Sequence, residues 1–221
     1  MKHGGFYSGP DGFNPGHLIE HKFEDCAVID QKSWGYRRNI RLEDIKDIHE
    51  LIADVASIVS CNGNILINVG PTKEGTIIPV FEERLRELGG WLKVNGEAIY
   101  GTRPWIHQND SLSTKPQVWY TSKQSIVYAI VLGWPTKGEL ILGDVRPSNL
   151  TKISLLGYDQ ILPYVIEEGG GKLKVAFPPM DEFVEKCGKY CRWGYVLEFN
   201  NLLHSNAQTD QFWDYVFVEN V

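Results

Sequence analysis

The sequence predicts an α/β region with parallel strands, followed by an all-β region with antiparallel strands. In the first region, apolar residues recur at helical spacing on both sides of one short, almost wholly apolar segment, which indicates helix, buried strand and helix. After Trp105 the apolar residues form short runs separated by turn residues, which is typical of an antiparallel sandwich. We therefore expect one domain over residues 1–105 and a second over residues 106–221, with a linker at residues 106–120.

The first predicted helix follows a long loop. Residues 1–40 are rich in Gly, Pro and aromatic residues, and we expect a surface loop there. From Glu43 to Ser60, apolar side chains recur at spacings of three and four, which predicts a helix with one buried stripe. The members of that stripe are Ile45, Ile48, Ile52, Val55 and Val59. Asn62-Gly63 is expected to end the helix.

The next elements are a buried strand and a second helix. Residues 65–69 are almost wholly apolar, as expected of a parallel strand that is buried on both faces. Pro79 suits the first turn of a helix and Asn95-Gly96 suits its end, so we predict a helix from Pro79 to Val94. Its apolar stripe consists of Phe81, Leu85, Leu88 and Leu92.

Seven further strands are predicted from short apolar runs with turn residues between them, such as Gly169-Gly170-Gly171. They are residues 118–121, 126–132, 139–142, 152–155, 172–177, 195–199 and 213–217.

The composition narrows the classes of partner. The chain has 221 residues and a net charge of −6, and no run of Lys and Arg is longer than two residues. This argues against a nucleic-acid partner bound through phosphate contacts. No apolar run approaches the ~20 residues of a membrane span. Residues 1–5 contain no apolar core of a signal peptide, so none is expected there.

Four cysteines and two sequons bear on the compartment of the protein. Cys26, Cys61, Cys187 and Cys191 are too few for a disulfide scaffold. The pair Cys187 and Cys191 is either bridged or simply buried. Asn109-Asp110-Ser111 and Asn149-Leu150-Thr151 are glycosylation sequons, which makes Asn109 and Asn149 candidate sites and favours a secretory route.

Acids, histidines, a thiol and aromatic residues are concentrated in residues 15–38, and loops of this kind often carry function. His17-Leu18-Ile19-Glu20-His21 has the pattern of an inverted zinc-protease motif. Such a motif needs a helix that presents both imidazoles to one metal. Pro15-Gly16 lies just before it and the helical period fails after His21, so we predict no metal site.

These residues also carry a family resemblance. Pro15-x-x-Leu18-x-x-x-Lys22-Phe23-Glu24-x-Cys26, followed by Ser33-Trp34-Gly35-Tyr36-Arg37-Arg38, resembles the family 29 α-L-fucosidases, above all the animal tissue and plasma type. Residues 61–72, 83–85, 91–100 and 118–123 are similar to the same family. One departure is Phe23, where the family usually has Trp.

The resemblance implies a more specific fold. The family has a catalytic (β/α)8 barrel followed by a C-terminal β-sandwich, and residues 1–105 resemble only the last part of such a barrel. The catalytic nucleophile of the family would lie before Met1. The resemblance thus implies a fragment that is inactive on its own.

The family members are retaining glycosidases, which use two carboxyl groups about 5–5.5 Å apart. The resemblance makes Asp11 the first candidate for the acid/base and Glu24 the second. On residue patterns alone, Asp11-Gly12 is a turn pair and Glu24 forms an ion pair with Lys22 or Arg37.

Further site residues follow from the same likeness. Trp34 would lie against the methyl group of fucose, an apolar group that suits an apolar surface; the alternative is a core tryptophan. Cys26 belongs to the signature stretch, although a lone thiol is more often inert packing. Asn68 would line the floor of the pocket or cap the Gly70-Pro71 turn. Tyr36 and Arg37 are expected to support the loop.

The function implied is release of terminal α-L-fucose from glycoconjugates, without a cofactor, in the lysosome or outside cells. The partners implied are a fucosylated substrate, no nucleic acid and no membrane, and the full-length protein could form a homo-oligomer. The alternative function is a non-catalytic carbohydrate-binding or structural module.

Overall fold

The computed structural model describes residues 5–7, 9–167 and 171–203. Its strands and helices follow the chain in this order: β1 Phe6–Tyr7, β2 Lys22–Val28, α1 Ile48–Ser60, β3 Gly63–Asn68, α2 Pro79–Asn95, β4 Arg103–Thr114, β5 Gln117–Lys123, β6 Ile126–Val131, β7 Glu139–Leu142, β8 Pro147–Leu155, β9 Tyr164–Ile166, β10 Leu173–Ala176, α3 Met180–Cys187 and β11 Tyr195–Leu202. No helix within these ranges is long and apolar enough to cross a membrane.

The first three strands form a parallel sheet in the order β1-β2-β3. The prediction of a strand at residues 65–69 is confirmed. The prediction of a loop throughout residues 1–40 is wrong at β2, where Phe23, Asp25 and Ala27 are buried on one face. Lysine and the two acids of β2 have low strand propensity. The composition of this segment therefore did not indicate a strand.

Both predicted helices are present, and one begins later than expected. The Asp47 carboxylate accepts a hydrogen bond from the Glu50 N–H, and the Glu50 carboxylate accepts one from the Asp47 N–H. This capping box fixes the start of α1 at Ile48 rather than at Glu43. Ile45 is buried just outside the helix. The second helix, α2, ends one residue beyond the predicted Val94.

The remaining strands form two antiparallel sheets, one of five strands in the order β4-β5-β6-β11-β8 and one of three in the order β7-β10-β9. Six of the seven predicted strands are present, and residues 213–217 lie outside the described residues. The prediction missed β4, β9 and α3. Residues 106–120 are not a linker, because most of them belong to β4 and β5.

A buried carboxylate explains why polar residues of β4 belong to the sheet. Asp110 is 4% exposed, and its oxygens accept hydrogen bonds from five donors within 3.2 Å. The donors are the N–H groups of Leu112, Ser113, Gly143 and Asp144 and the hydroxyl of Tyr120. Burial, together with this carboxylate, raises the pKa of Tyr120 well above its usual value. Through the N–H groups of Gly143 and Asp144, the Asp110 carboxylate joins β4 to the turn after β7.

The five-stranded sheet is covered on both faces. One face shares a core with the three-stranded sheet, including Tyr120, Leu140 and Val175. On the opposite face, Trp119 and Ile130 pack with Trp91 and other residues of α1 and α2. The helices therefore lie between the parallel sheet and the five-stranded sheet, and the three-stranded sheet forms the outermost layer.

The short helix α3 leads into a bridged turn. Cys187 and Cys191 form a disulfide, which decides between the two alternatives that the sequence left open. Within the bridged turn, Tyr190 lies against Gly90 of α2, where a Cβ would come within 2.4 Å of the ring. The indole N–H of Trp91 donates to the Gly194 carbonyl at 2.9 Å, so this segment is tied to the helical layer.

Candidate functional site

The candidate site lies on the face of the parallel sheet that points away from the helices. Side chains alternate between the two faces of a strand, and Phe23, Ile65 and Ile67 pack towards the helices. The opposite face carries Glu24, Cys26 and Val28 of β2 and Asn64, Leu66 and Asn68 of β3. Leu66 is 46% exposed, so the expectation that this strand is buried on both faces is wrong for the described residues.

Glu24 is held on this face by its neighbour across the sheet. Glu24 and Asn64 are direct partners in the parallel register, and the Asn64 amide donates to Glu24 Oε2 at 2.7 Å. The alternative that Glu24 pairs with Arg37 is wrong, because the Arg37 guanidinium binds two other carboxylates. Glu24 is exposed to solvent and is free to contact a ligand through its other oxygen.

Asp11 lies in an exposed turn between β1 and β2, where Gly12 adopts a positive φ of 70°. Its carboxylate is close enough to Cys26 to affect the thiol. Burial raises the pKa of Cys26, and the negative charges of Glu24, Asp11 and Asp25 raise it further. Glu24 and Cys26 share one face of β2, and the added effect of the Asp11 charge on Cys26 makes the thiol a weak nucleophile at neutral pH.

Trp34 lies at the carboxyl end of β3 and is 43% exposed, so it is not a core residue. The Asn68 amide donates to the Trp34 carbonyl at 2.7 Å. Asn68 makes this hydrogen bond instead of capping the Gly70-Pro71 turn. The backbone of the next residues packs on Gly70, where a Cβ would come within 2.3 Å of the Tyr36 nitrogen. Only glycine permits this close approach of the loop to the strand end.

Arg37 fixes the rest of this loop. Its Nε donates to Asp30 at 2.7 Å, and one terminal nitrogen donates to both Asp30 and Asp44, at 2.9 and 2.6 Å. Asp30 and Asp44 are 4% and 3% exposed. Arg37 holds the pKa of Asp30 below its usual value, and Lys32 together with Arg37 does so for Asp44. The predicted support of the loop by Arg37 therefore rests on a buried ion-pair network.

Asp25 is a buried carboxylate on the helix side of β2. It is 4% exposed, and its Oδ1 has no hydrogen-bond partner within the described part of the chain. Burial raises the pKa of Asp25, the Asp54 carboxylate raises it further, and Lys46 lowers it. The ionised form is therefore disfavoured in the folded protein.

Replacing Asp25 by asparagine is expected to raise the unfolding temperature at neutral pH. Because the folded pKa is raised, ionisation of Asp25 costs stability above that pKa, and the cost disappears as the pH falls towards the ordinary value of 3.8. The gain should amount to about 2–4 °C for each kcal/mol and should shrink in acid. Thermal unfolding of the variant and the wild type, at neutral pH and in acid, measures this difference in unfolding temperature.

The control is Asp159→Asn, which removes an 82% exposed carboxylate paired with Lys186 and should give no gain at neutral pH. A drop in the unfolding temperature of Asp25→Asn at neutral pH, with no dependence on pH, would contradict the prediction.

The histidine motif does not form a helical metal site. Residues 17–21 lie outside any helix, and His17 Nδ1 lies 2.7 Å from the Pro15 carbonyl. Within residues 5–7, 9–167 and 171–203, no three His, Cys, Asp or Glu side chains are grouped so that they could hold a metal ion.

Sequence reasoning missed Asn64 as the partner of Glu24 and Asp25 as a buried acid. Asn64 and Asn68 alternate with Ile65 and Ile67 along β3. That alternation was the available signal that both amides share one face.

Comparisons with known proteins cover nearly the whole described chain. The family model for Alpha-L-fucosidase matches residues 1–97, and the model for Alpha-L-fucosidase C-terminal domain matches residues 108–200. The plasma α-L-fucosidases of Pongo abelii and Homo sapiens are each 48% identical over 205 residues, which is 91% of this chain and 43% and 42% of theirs. The chain thus spans less than half the length of these relatives.

Solved structures of bacterial α-fucosidases are similar to this chain as well. Thermotoga maritima α-fucosidase in complex with fucose matches with a TM-score of 0.71 and 30% identity, over 82% of this chain and 41% of that one. Isoenzyme 1 of the α-L-fucosidase from Paenibacillus thiaminolyticus matches with a TM-score of 0.68 and 25% identity, over 87% of this chain and 44% of that one.

Proposed function

This chain belongs to the α-L-fucosidase family, and from that premise we propose that it forms part of a retaining glycoside hydrolase that releases terminal α-L-fucose. The observation that carries the proposal is the open face of the parallel sheet. It carries the Glu24 carboxylate and the Cys26 thiol, whose pKa the charge of Asp11 also raises, and an exposed tryptophan is held at the strand end. Carboxylates and an aromatic surface are what hydrolysis of a deoxy sugar requires.

We also propose the architecture in which this site works. Residues 1–105 are the C-terminal part of a (β/α)8 barrel, and residues 106–221 are a β-sandwich domain. Three parallel strands with helices on one face support the first assignment. Two antiparallel sheets that share one core support the second. The open face of β2 and β3 would then face the interior of the barrel.

Asp11 is our first choice for the acid/base. A retaining enzyme needs a nucleophilic carboxylate that attacks the anomeric carbon while an acid protonates the departing oxygen. The same residue then takes a proton from the water that releases the sugar. Asp11 lies in an exposed turn and its charge acts on Cys26, whereas Glu24 is fixed on the strand by Asn64. The nucleophile would come from the part of the relatives that has no counterpart in this chain.

Trp34 is proposed to bind the sugar rather than to react with it. Its exposed ring can cover the methyl group of fucose, which loses no hydrogen bonds when it leaves water. Asn68, Gly70 and the Arg37 network hold the loop that carries it. Fucosylated glycoconjugates are the proposed substrates. A lysosomal or extracellular location is supported by the plasma and tissue relatives and by the disulfide.

A hybrid enzyme tests the proposed function. In it, this chain replaces the matching 205-residue segment of the human plasma relative. We expect the hybrid to hydrolyse a 4-nitrophenyl α-L-fucoside with retention of configuration, since its active site would contain both carboxyl groups. The 221-residue chain, assayed beside it, should be inactive.

The parent plasma enzyme is the positive control. A folded hybrid without fucosidase activity that still binds fucose would support a non-catalytic carbohydrate-binding module instead. Activity in the chain alone would mean that both carboxyl groups lie within its 221 residues.

A further inference from the structure

The turn that carries Asp11 is anchored at Phe13 but free at Asp11 and Gly12. The ring centroid of Phe13 lies 5.5 Å from that of Phe23, which is buried. Asp11 and Gly12 are both exposed. Within the described part of the chain, neither the Asp11 carboxylate nor the Gly12 N–H has a hydrogen-bond partner. The backbone can therefore rearrange at this pair without loss of a hydrogen bond.

An Asp-Gly pair has a chemical reaction of its own. The backbone nitrogen of the glycine can attack the side-chain carboxyl carbon of the aspartate and close a succinimide ring. Glycine has no side chain to hinder this approach, and a Cβ built on Gly12 would meet nothing within 4 Å. The surroundings of Asp11-Gly12 therefore leave space for the rotation that ring closure requires.

Asn62-Gly63 is intrinsically more reactive but is held by the fold. Its leaving group is ammonia, and in unfolded chains an Asn-Gly pair closes the ring faster than an Asp-Gly pair. Asn62 is 3% exposed, and its amide donates to the Ile19 carbonyl at 3.2 Å. Gly63 is packed so closely that a Cβ there would lie within 2.5 Å of the Phe23 ring. The backbone of this pair has no room for ring closure.

Asn95-Gly96 is held at the end of α2. Asn95 is 2% exposed, and its amide donates to the Trp91 carbonyl at 3.1 Å. The Gly96 N–H, whose nitrogen would have to attack, donates to the Leu92 carbonyl. Ring closure would break both hydrogen bonds at a buried position, where unpaired polar groups are costly. The fold thus reverses the intrinsic order of reactivity of the three pairs.

We propose that Asp11 is a site of spontaneous isoaspartate formation in the folded protein. The Gly12 nitrogen forms a bond to the side-chain carboxyl carbon of Asp11, and the carboxyl hydroxyl leaves as water with the hydrogen of that nitrogen. A second water then opens the ring. Opening at the side-chain carbonyl restores aspartate, and opening at the backbone carbonyl gives isoaspartate. This modification is separate from the sequons at Asn109 and Asn149, which are both exposed.

Isoaspartate changes the group that the turn presents. The main chain then runs through the former side chain of Asp11, and the free carboxylate is attached directly to Cα. The longer main chain lies in the exposed turn, so the contact of Phe13 with Phe23 is kept. The consequence for activity rests on the proposed role of Asp11 as acid/base: the shortened carboxylate is withdrawn from the substrate, and the enzyme loses acid catalysis as it ages.

Incubation of the 221-residue chain in heavy-oxygen water, followed by peptide mapping, tests the proposal. Ring opening leaves a heavy oxygen in the product, and electron-transfer fragmentation distinguishes isoaspartate from aspartate. In native buffer we expect label and isoaspartate at Asp11, with Asn62 and Asn95 unmodified. In urea we expect both asparagines to react faster than Asp11. An unlabelled Asp11 in native buffer, when both asparagines have already reacted in urea, would overturn the proposal. Equal or greater labelling of either asparagine in native buffer would overturn it too.

Gly12→Ala and Asp11→Glu are the matched variants. The methyl group of alanine hinders the attack of the nitrogen, and glutamate keeps the charge but has to close a larger ring more slowly. Both variants should lose most of the label at this pair, and full labelling of either would contradict the mechanism. Asp11→Asn should react faster than the wild type, so it is used freshly purified in any assay of turnover.

Ageing of the hybrid enzyme separates the modification from the proposed function. We expect turnover of a fucoside with a poor leaving group to fall in step with the isoaspartate content, and to fall more slowly in the Gly12→Ala hybrid. If isoaspartate accumulates at Asp11 while turnover stays constant, Asp11 is not the acid/base. Peptide mapping does not depend on catalysis, so the modification itself is tested even if the hybrid enzyme is inactive.

Discussion

Replacing Asp11 by asparagine in the active hybrid should lower turnover of a fucoside with a poor leaving group by about 100- to 10,000-fold, the usual contribution of a general acid/base. Asparagine has a similar shape but can neither protonate the departing oxygen nor activate water. A 4-nitrophenyl fucoside needs no protonation to depart, so formation of the glycosyl-enzyme should be affected less. Steady-state and burst kinetics on the two substrates measure the difference.

Added azide gives a sharper readout of the same role. Azide needs no general base, so it should restore turnover of the Asp11→Asn hybrid and yield a fucosyl azide with the configuration of the substrate. Glu24→Gln is the matched control, since it also converts a carboxylate near Cys26 to an amide. If Glu24→Gln shows the azide rescue and Asp11→Asn does not, Glu24 is the acid/base and our first choice is wrong.

The second large effect is expected for Arg37→Met. Methionine keeps much of the apolar stem but leaves Asp30 without its bidentate partner and Asp44 without one of its two cationic side chains, Lys32 remaining. Removing one member of a buried ion pair is strongly destabilising, because the remaining charge is left without its partner. The loop of Trp34 should loosen at the same time, so binding of a fucose analogue to the hybrid should weaken as well.

Arg41→Met is the matched control for this loss. Arg41 pairs with Glu43 in the same loop, but both side chains are at least 70% exposed, and such surface pairs contribute about 0–1 kcal/mol. Urea unfolding followed by tryptophan fluorescence compares the two variants. Equal stability of Arg37→Met and Arg41→Met would show that the Asp30 and Asp44 carboxylates are not buried as described.

The elements that the sequence predicted well are those with a clear apolar pattern. α2 combines an apolar repeat with an ending signal, β3 is a short and almost wholly apolar run, and both were found within two residues. β2 was missed because it mixes Lys22, Glu24 and a buried Asp25 with its apolar positions. β4 was missed because its polar Asp110 is satisfied by donors more than thirty residues away, which no local pattern can show.

The candidate site was predictable in its residues but not in its geometry. Asp11, Glu24 and Trp34 came from the family resemblance, and their separate positions on a turn, a strand and a loop could not be read from spacing. The Glu24–Asn64 hydrogen bond depends on the register of two parallel strands that are forty residues apart. Likewise, the exposure of Trp34 depends on the contact between Gly70 and the loop backbone.

The five-stranded sheet has a consequence for how this protein can be divided. One of its faces packs in a core with the three-stranded sheet, and the other packs in a core with the helices. The sheet therefore belongs to both the α/β region and the all-β region. A recombinant piece that contains only the all-β region would expose Trp119 and Ile130, which are 5% and 0% exposed in the intact chain. A piece that contains only the helices would likewise expose Trp91 of α2, which packs with these two residues. The two matched family segments are separate in sequence, but we expect them to unfold as one cooperative unit because they share this sheet.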